Sequence, residues 1–304
     1  AVLLPPRLRA PHGQGGLTVS RVYGFMATDP TRLDCSLVEA QNALVVQSDR
    51  DRVGKRHADG WGIARWHDGN VEVTRSTLPA FADRQYDGVA ASVESHAVIA
   101  HVRTASVGPV HLENTHPFSH GPWTLAHNGT ISDFEHVRTH LDLGFYAPAW
   151  GETDSETVFR WILNQMADYG LDPDASSDDL DPIVALIEDS MSKLIDIAIA
   201  VEAPSMPTLN FVISDGRHLV ASRFGGTLYW AFRRGLSDCA VCGTSHCPQA
   251  DASYKAVVIA SEPLSNEEWR EVPEGSILGV NPMLETIRRD LVGESLVSTE
   301  PMPE

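Results

Sequence analysis

Short apolar runs of strand length fill both ends of the chain, and helical spacing fills its middle. Val19 to Ala27 is almost continuously apolar and predicts a strand buried on both faces. A helix is predicted next, over Leu33 to Gln47. Trp61 to Trp66 and Val71 to Thr74 flank His67-Asp68-Gly69-Asn70, which predicts a hairpin with turn residues between its strands. Val98 to Arg103 and Trp123 to His127 read as further strands. Thr153-Asp154-Ser155-Glu156 then fits a Thr-x-x-Glu capping box, and Val158, Phe159, Ile162, Leu163 and Met166 follow at helical spacing. An acidic loop, Asp172 to Asp181, leads to a second long helix over Pro182 to Ala200. Strands return at Leu209 to Ser214, Leu219 to Arg223, Thr227 to Phe232, Lys255 to Ala260 and Ser276 to Val280, with an Asp215-Gly216 turn between the first two. Strands early, helices in the middle and strands late predict α+β layers around one or two sheets. No internal repeat and no linker divides this pattern.

Residues 1–19 break it. They carry Pro5, Pro6, Pro11, Gly13, Gly15 and Gly16 and read as a flexible leader, so order is expected from about Thr18. The first residue is Ala1 and not Met, which predicts a processed or trimmed chain or an incomplete reading frame. Ala1 to Arg9 has no continuous apolar region and two early prolines, unlike a secretory signal.

Charge narrows the function classes. With 23 Lys+Arg against 41 Asp+Glu in 304 residues, the net charge is −18. Such a surface is not built to neutralise phosphates or anionic lipid, so no nucleic-acid or membrane partner is expected. The most apolar helix, Pro182 to Ala200, is interrupted by Glu188, Asp189, Lys193 and Asp196 and is no membrane span. Cys35, Cys239, Cys242 and Cys247 are too few for a disulfide scaffold in a chain of this length, and a reducing, cytoplasmic compartment follows. Cys239, Cys242, His246 and Cys247 offer four soft ligands within nine residues. A structural zinc site usually draws its second pair from farther along the chain, so reduced thiols are the default and no metal or other cofactor is assigned.

Candidate chemistry gathers where Gly and polar residues meet the ends of predicted strands. The segments are His57-Ala-Asp-Gly-Trp-Gly62, His101-Val-Arg-Thr-Ala-Ser-Val-Gly108, Asn114-Thr-His-Pro-Phe118, Ala126-His-Asn-Gly129 and Gly151-Glu-Thr-Asp-Ser-Glu156. A rigid scaffold with accessible loops is where catalytic groups collect. Taken singly, each has a plain structural use. Asn128-Gly129 fits a turn, Arg103 a surface ion pair, and Asp154 the positive end of a helix dipole. His57, His101, His116 and His127 fit satisfied core or surface histidines.

In their order and spacing these motifs resemble the class II glutamine amidotransferases, which are N-terminal-nucleophile (Ntn) amidohydrolases. The match is to their stand-alone branch, which includes γ-glutamyl hydrolases of thiol metabolism. Ser214-Asp-Gly216, Ala260-Ser-Glu-Pro-Leu264 and Trp269 extend the resemblance, which runs from about residue 20 to 280. It implies a four-layer αββα sandwich of two mainly antiparallel sheets, with a domain over 20–290 and a tail over 291–304. It also implies hydrolysis of glutamine or a γ-glutamyl compound through a γ-glutamyl-enzyme intermediate.

Site roles follow from the same resemblance. Arg103 is expected to grip the substrate α-carboxylate and Asp154 the α-ammonium. Asn128 and Gly129 are expected to form the oxyanion hole, with Ser106 beside the carboxylate and His116 supporting its loop. No synthetase domain is recognised, so ammonia transfer would call for a separate acceptor or synthetase subunit. The nucleophile departs from the family. Aligning Gly24 with the Cys-Arg-x-x-Gly-like start puts Ser20 where a cysteine is usual, and Cys35 falls in the following helix. The family's base is the nucleophile's own α-amine, which the leader blocks. Three accounts stay open: cleavage before Ser20, an engineered serine, or a silent glutamine- or γ-glutamyl-binding subunit.

Overall fold

The computed structural model describes residues 20–132, 134–141, 151–234 and 253–291. Strands β1 (Arg21–Arg32), β2 (Trp61–His67), β3 (Asn70–Ser76) and β4 (Glu94–Val102) come first. Strands β5 (Phe118–His120), β6 (Trp123–Asn128), β7 (Asn210–Ser214), β8 (Leu219–Arg223) and β9 (Tyr229–Arg234) follow. The last four are β10 (Lys255–Ala260), β11 (Arg270–Glu271), β12 (Ser276–Val280) and β13 (Thr286–Asp290). The helices are α1 (Leu44–Asp49), α2 (Arg84–Ser92), α3 (Phe134–Arg138), α4 (Asp154–Gln165) and α5 (Leu180–Ala200).

The strands form two sheets, one ordered β11-β9-β10-β1-β4-β2-β3 and the other β13-β12-β8-β7-β6-β5. Neighbours pair antiparallel throughout. Three apolar cores separate four layers. Tyr23, Phe25 and Ala27 of β1 pack with Leu44 and Tyr86 under α1 and α2. Val22 and Met26, one position out of phase, pack with Ala126, Val212 and Leu219 of the facing sheet. Trp123, Leu125, Phe211 and Ile213 pack on the far side against α4 and α5. Side chains alternate across a strand with period two, so a strand apolar at every position is buried on both faces. That is the physical content of the continuous apolar run at Val22 to Ala27, and the expected αββα sandwich is the fold. No helix among the described residues is long and apolar enough to cross a membrane.

The hairpin turn is where the pattern put it: Asp68 (φ 49°) and Gly69 (φ 77°) both take the left-handed backbone that a type I′ turn requires. At α4, Thr153 is the N-cap and its hydroxyl accepts from the Glu156 N–H at 3.2 Å. Glu156 closes the box differently, taking the Gly151 N–H and pairing Arg160 at 2.8 Å.

Two expectations are corrected. The single helix over Leu33 to Gln47 is instead a π-helical turn at Cys35–Glu39, a break, and then α1. Ala40 turns extended (ψ 151°), and the chain is drawn off to Leu264, whose carbonyl takes the Asn42 N–H at 3.0 Å, and to Pro263, whose carbonyl takes the Asn42 side chain at 2.8 Å. Cys35 is therefore in the π-helical turn, buried beneath the first sheet. The strand list was also short, since β5, β11 and β13 are brief or half-exposed edge pieces without a strong apolar run.

The two sheets approach closely at Gly24, where a Cβ would lie 2.8 Å from Val212 Cγ1. Val212 is β-branched and stiff, so Gly24→Ala is expected to destabilise the protein by about 1–3 kcal/mol through overpacking. Urea unfolding of the variant checks this, and an unchanged midpoint would show that the layers part freely at β1.

Candidate active site

Antiparallel pairing decides which strand ends meet. Arg21, at the head of β1, pairs with Val102 at the end of β4, so Ser20 falls beside Arg103 and Thr104. The Thr104 N–H donates to Ser20 Oγ at 3.0 Å, and the Ser20 hydroxyl faces the Thr104 carbonyl at 3.4 Å. Arg21 holds the same residue at its carbonyl, to which Nη1 donates at 3.0 Å. Arg21 is only 6% exposed. It is matched by two buried carboxylates, Glu262 at 2.8 Å and Asp51 in a short contact through Oδ2.

Asp51 Oδ2 also meets His57 Nε2 at 3.1 Å, and His57 Nδ1 meets the Thr104 hydroxyl at 2.7 Å. A carboxylate only accepts, so Nε2 carries the proton and Nδ1 takes the Thr104 O–H. Burial, helped by the nearby Arg21 charge, pulls the His57 imidazole down to about 4 and keeps it neutral. Burial works against the Asp51 charge, but the Lys55 N–H, Arg21 and His57 outweigh it and hold the carboxyl below its ordinary value.

The second sheet contributes the end of β6. Asn128 is 2% exposed and its Nδ2 donates to Ser261 Oγ at 3.0 Å, while its Oδ1 is buried without a partner among the described residues. Ser261 fastens this carboxamide to β1, because its Oγ also accepts the Val22 N–H at 3.0 Å. Gly129 is not in a turn. A Cβ there would lie 2.1 Å from the Thr208 carbonyl and 2.4 Å from His127 Nε2, so the close approach demands glycine.

Asp154 lies at the start of α4, 2% exposed. It accepts the Ile131 N–H at 2.7 Å and the Ser155 N–H at 2.8 Å, which fixes it beside the loop that follows Gly129. Arg103, also 2% exposed, donates to the carbonyls of Val107 and Pro109 at 3.0 and 3.2 Å. Burial disfavours its charge, which Asp59 and Asp154 help to keep. Asn114 supports the same loop, its Nδ2 donating to Pro109 O at 3.1 Å. Ser106 is exposed and accepts from the Thr130 hydroxyl at 3.0 Å.

His116 is buried and stacks on His101 with ring centroids 4.2 Å apart, and neither of its nitrogens has a partner among the described residues. Burial holds His101 down at about 3 and His116 well below its ordinary range, and it also lowers His127. These are neutral core imidazoles. No group of three or more His, Cys, Asp or Glu among the described residues is arranged to hold a metal ion. The candidate zinc ligands Cys239, Cys242, His246 and Cys247 lie outside the described residues, as do the leader 1–19 and nearly all of the tail.

Ser20, Arg103, Asn128, Gly129 and Asp154 thus stand at the ends of strands in two facing sheets or at the head of the helix behind one of them. Residues 36–282 match the family model described as glutamine amidotransferases class-II. The chain belongs to that family.

Relatives agree with the assignment. The chain is 27% identical over 289 residues to "Probable glutamine amidotransferase DUG3" of Saccharomyces cerevisiae, covering 84% of this chain and 80% of that protein. It is 28% identical over 249 residues to the gamma-glutamyl-hercynylcysteine sulfoxide hydrolase of Mycobacterium tuberculosis, covering 80% and 85%. Two solved structures share the fold. A glutamine aminotransferase class-II domain protein of Silicibacter pomeroyi superposes with TM-score 0.59 at 21% identity, covering 90% of this chain and all of that one. The glutamine phosphoribosylpyrophosphate amidotransferase of Bacillus subtilis gives TM-score 0.56 at 16% identity, covering 90% of this chain and 50% of that one. The matched family range begins beyond Ser20, so position 20 rests on the geometry around it.

Within this class II amidotransferase frame, sequence reasoning missed Asp51 altogether and gave no role to Thr104 or Ser261. Ser261 was legible as part of Ala260-Ser-Glu-Pro-Leu264, but nothing in the sequence marked it as the partner of Asn128. Asp51 belongs to an ordinary polar loop and carries no motif.

The buried neutral histidines make stability depend on pH. Unfolded, each titrates near 6.5, whereas His57 and His101 do so at about 4 and about 3 in the fold. Between those values the unfolded chain binds more protons, so their contribution is complete above about pH 6.5 and is lost as pH falls toward 4. The urea midpoint is therefore expected to fall between pH 7.5 and pH 5. A flat or rising midpoint would contradict burial of neutral imidazoles.

Proposed function

We propose that this class II amidotransferase hydrolyses the amide of glutamine or of a γ-glutamyl compound through a γ-glutamyl ester on Ser20. The reading is supported by Ser20 Oγ at the head of β1, held by the Thr104 N–H, and by Asn128 at the end of the facing β6, which Ser261 ties to Val22 two residues along β1. Family membership supports amide hydrolysis in general, and the name of the mycobacterial relative favours a γ-glutamyl compound as substrate.

The chemistry runs in two halves. With the α-amine of residue 20 free, that amine takes the hydroxyl proton while Oγ attacks the amide carbon. Asn128 and the Gly129 N–H stabilise the developing oxyanion, a contribution of about 10²–10³ in rate per donor. The proton passes to the departing nitrogen, which leaves as ammonia or an amine. Water then cleaves the ester, giving glutamate and restoring Ser20. Arg103 receives the α-carboxylate with guanidinium N–H groups not spent on the Val107 and Pro109 carbonyls, with Ser106 beside it, and Asp154 receives the α-ammonium. His116 backs the loop from the core. An ammonia acceptor, where one is used, would come from a partner subunit.

The serine favours a second reading, a silent glutamine- or γ-glutamyl-binding subunit. Serine is harder to activate than the family's cysteine, and in this sequence the nitrogen of Ser20 is bonded to Val19. One experiment separates the two. A chain beginning at residue 20 and carrying Ser20→Cys is expected to release more glutamate from glutamine than the full chain, whose activity should appear only with loss of residues 1–19. Absence of activity in that folded variant, or full activity in a chain that intact mass shows still carries Ala1 to Val19, would remove Ser20 as N-terminal nucleophile.

Substrate grip has its own test. Arg103→Ala and Asp154→Ala are each expected to weaken glutamate binding by about 3 kcal/mol, roughly two orders of magnitude, because one charge of the amino acid loses its partner. Calorimetry, with thermal unfolding as a folding control, measures this, and unchanged affinity in both variants would remove the assignment.

A further inference from the structure

The amide-hydrolysis chemistry proposed above leaves a buried charged cluster behind Ser20 without a task. Two contacts fix Ser20: its carbonyl accepts from Arg21 Nη1 at 3.0 Å and its Oγ accepts from the Thr104 N–H at 3.0 Å. The two donors hold different atoms of Ser20, and both lead back to a single oxygen. Arg21 Nη2 contacts Asp51 Oδ2 directly, and Thr104 reaches the same oxygen through His57, at 2.7 Å to Nδ1 and 3.1 Å from Nε2. The other oxygen of Asp51 has a separate duty, accepting the Val53 and Lys55 N–H groups at 2.9 and 2.8 Å and shaping its own loop. The Asp51 side chain is completely buried.

We infer that Asp51 is a positioning residue for the nucleophile: through Oδ2 it joins Arg21 and the His57–Thr104 pair into one clamp that fixes both the carbonyl and the Oγ of Ser20. The role rests on Ser20 being the nucleophile, but the clamp itself concerns only where the position-20 side chain is held. Glu262 does not duplicate it, since Glu262 pairs Arg21 at 2.8 Å and takes the Arg52 N–H at 3.3 Å on the Arg21 side of the clamp. His57 is the arm that reaches Oγ. It acts through Thr104 and is likewise a positioning residue.

The division of labour between the two oxygens makes the test selective. Asp51→Asn keeps an oxygen for the Val53 and Lys55 N–H groups and replaces Oδ2 with an NH₂ that faces two donors. The probe is the full chain carrying Ser20→Cys, alkylated with iodoacetamide over a range of pH and read peptide by peptide by mass spectrometry. A thiolate at position 20 would be stabilised by the Thr104 N–H, so its half-reaction pH reports that contact. Adding Asp51→Asn is expected to raise this pH by about one unit, which is on the order of ten-fold slower labelling below the midpoint. Removing a nearby anion has by itself the opposite effect, because it favours the thiolate. An unchanged or lowered midpoint would therefore overturn the inference.

Cys35, buried beneath the first sheet, is the internal control. It is expected to stay protected in the same digests, and labelling of Cys35 in step with position 20 would mean general loosening and would equally overturn the clamp. Should Asp51→Asn fail to fold, His57→Phe cuts the arm to Thr104 alone while leaving Asp51 paired with Arg21, and the same upward shift is expected. Failure of the proposed activity is a separate outcome: it shows as no glutamate release from the chain beginning at residue 20, whereas the labelling midpoints remain measurable.

Discussion

A guanidinium cannot be left uncompensated inside a protein, and the first sheet places one at the head of a central strand. Arg21 is 6% exposed, and its charge is matched by Asp51 and Glu262 from two loops far apart in sequence. Breaking such a buried pair costs about 3–5 kcal/mol, enough to compel the loops at 51–57 and 261–264 to close over the end of β1. Those loops then bring what the site uses. One carries His57 to the Thr104 hydroxyl, and the other carries Ser261 to Asn128. The ion cluster is thus the fastening by which β1, β4 and β6 present their ends to a common point.

The strand pattern makes that point the natural place for chemistry. Both sheets are apolar on both faces through the middle of the molecule, so Val22, Met26, Ala126 and Val212 fill the seam between them. At the strand ends the alternation runs out and polar residues enter the same seam. His101 and His127 still alternate with apolar neighbours, and burial keeps them neutral. One or two residues farther along, the chain supplies Arg103 just after β4 and Asn128 and Gly129 at the end of β6. The periodicity that builds the core therefore also delivers the donors and charges to one end of it.

This explains which parts were legible in the sequence. Continuous apolar runs named β1, β4, β6 and β10, and the capping residue Thr153 named the start of α4, because local chemistry alone decides those elements. Asn128-Gly129 and Arg103 were legible through motif order, although singly they fit a turn and a surface ion pair. The structure separates the readings: Gly129 is required by the Thr208 carbonyl, and Arg103 is buried. The helix expected over Leu33 to Gln47 failed for a reason no local pattern contains, since the pull on Asn42 comes from Pro263 and Leu264. Asp51 carried no motif, and Thr104, although inside the His101 to Gly108 segment, carried no role, for the same reason. Their importance lies in contacts 30 to 84 residues away along the chain, Asp51 with Arg21 and Thr104 with Ser20.

What remains unsatisfied in the seam is as informative as what is paired. A buried polar atom without a partner costs about 1–3 kcal/mol, and folded proteins carry few. Here Asn128 Oδ1, His101 Nδ1 and both nitrogens of His116 lack partners among the described residues, close to the ends of β4 and β6. The Asn128 carboxamide is anchored at one end by Ser261, whose hydroxyl is able to accept from Nδ2 or to donate to Oδ1. A half-turn of the carboxamide would keep the anchor, satisfy Oδ1 and turn both Nδ2 protons away from Ser261. In the proposed reaction the oxyanion would be the partner of such a freed amide, and it exists only while a carbonyl is under attack. On the proposed hydrolysis, the last partner of this anchored but unfinished hydrogen-bond set is a transition state and not a resident of the fold.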